Sequence, residues 1–256
     1  VTFLILLVST LGIVAVTYYF SIERINTQAT NLKVSTSKQN MLNLNQAITD
    51  TFYQPGSAST YEVTDSGGML HLEPTNNSLI LYIKAAEEIS QTIFNASVGR
   101  VIYELPYTGA ANIGLYLRGD SRTIANQSGS STAQMVIANG EQQVEIQLRY
   151  RPSVTYVAAG EENGQAVNNI RIYIVNLNSS DSFALFGMLP LQARCLATQL
   201  TTQSYQVTQA INALNITSTL DGQAGSVIVP IATSSNGAVI NIETVICNIA
   251  IQRWIR

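Results

Sequence analysis

The chain has 256 residues, a net charge of −3 and charged side chains at 11% of positions, less than half the roughly 25% of an ordinary soluble domain. Ser, Thr, Asn and Gln supply about a third of it, so uncharged groups provide the polar surface. A pI near 5.2 leaves no basic footprint for nucleic acid, one histidine and two cysteines leave too few ligands for a His/Cys zinc site, and 46% hydrophobic content argues against extensive disorder.

From Val1 to Ile22 there is no charged residue. At 1.5 Å per residue this run reaches about 33 Å, enough to cross the hydrocarbon core of a bilayer. Tyr18, Tyr19 and Phe20 stand just before the first charges, Glu23 and Arg24, in the manner of an aromatic belt at a membrane surface. Ser21 to Phe52 contains neither Gly nor Pro, and Ile22, Ile25, Ala29 and Leu32, then Leu44, Ile48 and Phe52, recur at steps of three and four. That spacing marks one face of an amphipathic helix. Ser35, Thr36 and Ser37 interrupt the stripe and allow a bend over 34–40, and Pro55-Gly56 is a stop signal. The pattern predicts one helix of about 53 residues, roughly 80 Å long. The chain therefore divides into a helical segment, 1–55, and a globular domain, 56–256.

After Gly56 the period changes. Strands are expected at Leu79–Lys84, Val101–Leu105, Ile113–Leu117, Gln134–Ala138, Gln143–Tyr150, Val154–Ala158, Ile170–Asn176, Val227–Ile231, Ala238–Ile242 and Val245–Ile251. Asn139-Gly140, Asn163-Gly164 and Asn236-Gly237 lie between such runs, and Asn-Gly suits the two φ > 0 positions of a type I′ hairpin turn. Residues 57–68 read as a connection and 119–132 as an exposed loop. Ser204–Asn215 reads equally as a short helix or a strand. The expected fold class is α+β: a long N-terminal helix followed by an antiparallel β-sandwich or barrel. One large sandwich is simpler than two subdomains split near 153–165.

Catalytic signals are sparse. His71, between Leu70 and Leu72, is expected on the solvent face of a strand with the leucines on the other. There is no Gly-x-Ser-x-Gly elbow, phosphate loop or dinucleotide fingerprint. The neighbouring carboxylates Glu87-Glu88 and Glu161-Glu162 read as solvated faces. Arg118-Gly119-Asp120 spells an integrin-ligand tripeptide, but in this setting reads as the start of a turn. No enzyme activity, cofactor or metal is expected. Cys195 and Cys247 are an even pair in a chain with an extracellular composition, which favours a disulfide; the loop of about 52 residues gives up to roughly 4 kcal/mol on the chain-entropy model. The alternative is two separate buried thiols. Five Asn-x-Ser/Thr sequons, at Asn76, Asn95, Asn126, Asn178 and Asn215, are candidate glycosylation sites.

An uncharged helix beginning at Val1, amphipathic after about residue 22 and followed by a β-rich domain, resembles the type IV pilin superfamily. Bacterial members carry an aromatic first residue and a Glu at the fifth position. Val1 and Ile5 depart from that pattern and favour the archaeal branch, archaeal adhesion pilins and archaellins. The resemblance covers about the first 50 residues. It implies that a peptidase removes a short basic leader before Val1, and that the mature chain waits in the membrane before polymerising into an extracellular filament. The filament-core helix would present Val1, Phe3, Leu4, Ile5, Leu7, Val8, Leu11, Gly12, Ile13, Val14, Ala15, Val16, Tyr19 and Phe20. Its partners would be copies of itself, with glycans covalently attached and no nucleic acid. An adhesive pilus is the expectation. An archaellin, and a membrane-anchored extracellular binding protein or enzyme, are the alternatives.

Overall fold

A computed structural model describes residues 2–85, 88–105, 112–126, 132–140, 143–208 and 211–254. It opens with one unbroken helix, α1 (Thr2–Thr49), about 72 Å long at 1.5 Å per residue. The helix continues without a break through 34–40. The serines expected to weaken the stripe begin the docked part of the helix instead: Ser37 is buried, bonds Ser66 Oγ at 2.9 Å and returns a bond to the Lys33 carbonyl. A small side chain there lets the helix approach the body closely. The helix ends four residues short of expectation. The Thr51 hydroxyl donates to the Ile48 carbonyl, and Tyr53 takes a left-handed backbone, φ 57°. Such a φ is costly for an aromatic residue. Here the Tyr53 N–H donates to Cys247 Sγ at 3.3 Å, and its ring stands edge-on to Tyr173.

The strands that follow are β1 (Ala58–Val63), β2 (Met69–Glu73), β3 (Ser78–Ala85), β4 (Ile89–Ser97), β5 (Arg100–Glu104), β6 (Tyr116–Arg118), β7 (Ala125–Asn126), β8 (Ala133–Asn139), β9 (Val144–Tyr150), β10 (Ser153–Glu162), β11 (Gln165–Asn176), β12 (Phe183–Phe186), β13 (Leu189–Val207), β14 (Ala213–Leu220), β15 (Gln223–Pro230) and β16 (Ala238–Arg253). They form a central sheet, β1-β13-β16-β11-β10-β7, a proximal sheet, β12-β2-β5-β9-β8-β6, and a distal sheet, β15-β14-β3-β4. Pairing is antiparallel except for β11 with β16 and β7 with β10. The molecule is thus a long apolar N-terminal helix joined to a mostly antiparallel β-rich domain.

Several expectations need correction. The connection 57–68 contains β1, and the loop 119–132 contains β7. Residues 204–215 split between the end of β13 and the start of β14, and two expected strands merge into β16. Asn163-Gly164 forms the expected hairpin turn with both residues at positive φ. Asn236-Gly237 does not: it closes a tight turn with Ser234 and leads into β16, which pairs with β11 and β13 rather than β15. Asp221-Gly222, at φ 49° and 75°, makes the β14–β15 turn instead.

Two cores share the central sheet. Ala238, Ile240 and Ile242 of β16 belong to the distal core, and Cys247, Ile249 and Ile251 to the proximal one. The β11–β16 register runs without interruption from Ala166/Ala238 to Asn176/Asn248. Side chains alternate across a strand, so this change from even to odd positions puts the cores on opposite faces. On β13 the bulge between Cys195 and Ala197 changes the parity, which lets odd residues serve both: Leu189 to Cys195 proximally, Val207 distally. Because β11, β13 and β16 run through both cores, the chain does not divide near 153–165. Met41, Leu44 and Ile48 of α1 complete the proximal core. Packing of α1 against the β-rich domain begins near Val34.

A polar joint ties the cores together. Arg151, with no exposed side-chain surface, bonds the Asp120 carboxylate at 2.5 Å and the Arg122 carbonyl at 2.7 Å. Arg149 meets Asp221 of the distal turn at 3.3 Å, and Thr123 and Ser218 exchange hydroxyl-to-carbonyl bonds.

Candidate assembly surface

Up to Lys33 the described side chains of α1 are exposed, apart from a half-buried Thr30. Leu, Ile, Val and Ala at nearly every position favour or tolerate a helix, and no turn residue stops it. Phe3, Ile5, Leu7, Val8, Leu11, Ile13, Val14, Val16, Tyr19 and Phe20 are all exposed, Phe3 to 81%, and Gly12 and Ala15 are exposed beside them. Val1 lies outside the described residues, as does the Leu4 side chain. Leu6 and Tyr18, absent from the expected set, are equally exposed, as the hydropathy run alone could have told. An apolar surface all round a helix is that of a membrane span or an assembly core rather than of a free-standing soluble helix. This helix is long and apolar enough to cross a membrane.

Three hydroxyls of the apolar run are satisfied within the helix itself. Ser9 donates to the Leu6 carbonyl, Thr10 to Leu6 and Leu7, and Thr17 to Ile13, at 2.7 to 3.0 Å. Hydroxyls satisfied within their own helix can enter an apolar environment at little cost. Beyond its chain neighbours and the helix's own backbone, no atom lies within 4 Å of where a Cβ on Gly12 would sit, so the notch at Gly12 and Ala15 is free to accept a neighbouring helix closely.

The other expected sites are placed as follows. Cys195 and Cys247 come together, with Sγ atoms 3.6 Å apart across β13 and β16, as free buried thiols. Burial pushes the Cys247 thiol up to about 12, which disfavours the reactive thiolate. Asn76, Asn95, Asn126, Asn178 and Asn215 are all exposed. Within the Asn178 sequon, however, the Ser180 hydroxyl is buried, donating to the Ile249 carbonyl and accepting from the Ile251 N–H. Asn95 stands opposite the exposed Ile80, and Asn215 opposite the exposed Ile228, on the outer face of the distal sheet. The tripeptide Arg118-Gly119-Asp120 offers no free carboxylate: Arg122 and Arg151 both bond Asp120 and hold its pKa well below the usual carboxylate range.

His71 faces away from the buried Leu70 and Leu72, into a groove on the outer face of the proximal sheet. Among the described residues no three His, Cys, Asp or Glu side chains are grouped to hold a metal. Sequence reasoning missed the polar groups that dock the helix. Asn40 Nδ2 donates to the Thr64 carbonyl and its Oδ1 accepts from Tyr61, while Asn45 Oδ1 accepts from Tyr150. Asn within a predicted helix, where its propensity is poor, was the available signal. The chain matches no protein-family model, no curated protein and no solved structure.

Proposed function

We propose that the chain is the structural subunit of an extracellular archaeal type IV pilus-like filament, adhesive in role, that polymerises through its N-terminal helix. One observation carries this reading: about 32 Å of helix, at 1.5 Å per residue over residues 2–22, carries no charge, and every apolar side chain described along it is exposed on its own subunit. Burying such a surface is strongly favourable, at roughly 25 cal/mol per Å². The membrane supplies the apolar surroundings before assembly, and neighbouring copies of the helix supply them afterwards. The β-rich domain, two sheet pairings of β-sandwich type, then forms the outer layer.

A rotating archaellum would use the same helix, and a permanent membrane anchor is the reading from a different class. The anchor gains support from the span-length helix itself. Electron microscopy of the purified full chain, and of cells that produce it, separates them. The filament reading expects helical polymers whose core is lost with the apolar segment. Dispersed particles in detergent, with the chain held in the membrane and never in filaments, would transfer the argument to the anchor.

A further inference from the structure

The outer face of the proximal sheet holds a groove of about 650 Å³, within the ~300–1,000 Å³ range of small-molecule sites. Side chains that alternate away from the proximal core line it. Met69 and Ile102 form an apolar floor, and His71, Glu104, Glu145 and Gln147 supply polar groups. Most of these groups are mutually satisfied: Gln143 donates to Glu104 Oε2 at 2.6 Å, Gln147 donates to Glu145 Oε1, and Arg100 is engaged by Glu73 at 2.7 Å.

Two are not. His71 Nε2 is the one buried side-chain polar atom without a hydrogen bond among the described residues. It lies 3.0 Å from Glu104 Oε1 but makes no well-directed bond to it. Beside it, Glu145 Oε2 accepts no hydrogen bond from a described residue and is open to the groove rather than buried. Buried polar groups are nearly always satisfied, and each exception calls for an explanation. Here the one exception, His71 Nε2, shares its groove with the open Glu145 Oε2. A Cβ on Gly140 would come within 2.6 Å of Glu145 Oε2, so glycine at that position leaves the carboxylate its room.

We propose that this groove binds a neutral carbohydrate of mono- to disaccharide size. A hydroxyl both donates and accepts. One can therefore donate to Glu145 Oε2 while its neighbour on the sugar ring pairs with His71 Nε2. The Met69 and Ile102 floor takes the C–H face of the ring. A divalent cation lacks a three-ligand group among the described residues. An ammonium ion would satisfy Glu145 but leave His71 unmatched. The proposal deepens the adhesive reading by naming the class of target, and it rests on that reading for its purpose but not for its geometry.

The test uses the full chain in lauryldimethylamine oxide, a detergent without a sugar headgroup. Saturation-transfer NMR is recorded against methyl glycosides of galactose, glucose, mannose and N-acetylglucosamine, with methylammonium and calcium chloride as competitors. Transfer to at least one glycoside is expected, unaffected by either competitor. Glu145→Gln and Gln147→Ala, each checked for unchanged melting, should weaken it by about tenfold, the loss of one hydrogen bond to a charged group. No transfer to any glycoside, unchanged binding in both variants, or displacement by methylammonium or calcium would overturn it. Filaments without glycoside binding would defeat this proposal alone. Glycoside binding without filaments would defeat the filament reading alone.

Discussion

The two halves of α1 obey the same helical geometry and meet opposite fates. Residues 2–33 carry large apolar side chains, on every side as far as Ile22 and on one face beyond it, and none of those described is buried. Residues 34–49 carry fewer, and bury Val34, Met41, Leu44 and Ile48 against β-strands. The difference lies less in hydrophobicity than in direction. The second half confines its apolar groups to one stripe and sets Ser37, Asn40 and Asn45 beside it to bond named atoms of the body. Polar side chains in register specify one docked position. An all-round apolar surface specifies only that water be excluded, and leaves the partner to be supplied from outside.

The sharpest way to break the comparison is a charge in the first half. Ile13→Asp should abolish filaments while leaving the β-rich domain folded. Ile13 lies mid-run, and an unpaired carboxylate there must lose its hydration or take up a proton. At the bilayer centre an Asp also costs roughly 3 kcal/mol on insertion scales. Subunit should still be found in the membrane fraction, with no polymers by electron microscopy. Filaments in normal number, with the substitution verified by mass spectrometry, would mean that the exposed apolar half is not the polymerisation element.

A matched pair of truncations measures the two halves directly. Leu44→Ala removes a side chain that is 1% exposed in the proximal core, and should cost about 2–5 kcal/mol. Leu7→Ala removes one from the free half and should change the subunit's stability by less than about 0.5 kcal/mol. Urea unfolding of each chain in detergent, followed by the fluorescence of Trp254, gives both numbers. Equal losses would show that the first half docks on its own subunit.

Much of this contrast was legible in the sequence. The uncharged run, the change of period after Gly56 and the outward orientation of His71 were all readable from local patterning. The strands that were missed share a physical cause. β13 reads LPLQARCLATQLTTQSYQV, with Thr and Gln on its open face and paired residues of β16 that lie 31 to 62 positions away in the chain. Its pairing, not its own alternation, makes it a strand. The edge strands β1 and β12 are short and half-exposed. The Asp221-Gly222 turn was readable but passed over, whereas Asn236-Gly237 had the right residues in the wrong topology. The groove could not be read at all, since its walls come from strands spread between Met69 and Gln147.

The joint between the cores responds to acid. Arg122 and Arg151 stabilise the ionised form of Asp120, so its folded pKa lies below the ordinary 3.8. The unfolded chain then takes up the proton first as pH falls. The contribution is fully present above the unfolded pKa and is lost progressively below it. Melting temperature should fall between about pH 4 and pH 2 in the wild type, while Asp120→Asn starts lower at neutral pH and shows a shallower acid limb. Parallel curves would exclude Asp120 as the titrating group. Because the carboxylate is partly exposed, added salt should shrink the difference.

The smallest predicted effect tests the direction-giving role of the polar contacts on the docked half. Tyr150 and Asn45 are 2% and 3% exposed, and the Tyr150 hydroxyl donates to Asn45 Oδ1 at 2.9 Å. Tyr150→Phe keeps the ring, which packs edge-on to Phe52 at 5.6 Å, and removes only the donor. Asn45 is then left buried with an unmatched acceptor, a cost of about 1–3 kcal/mol. Asn45→Ala strands the tyrosine hydroxyl in the same way. If the two groups serve each other, the double variant must lose less than the sum of the single losses, because the second change removes an orphan the first created. Thr17→Val supplies the contrast. Its hydroxyl bonds only within the free half, to the Ile13 carbonyl at 2.7 Å, so the subunit's urea midpoint should not move. Additive losses at Tyr150 and Asn45 would mean that apolar packing alone holds the second half in place, and the two halves would then differ in degree rather than in kind.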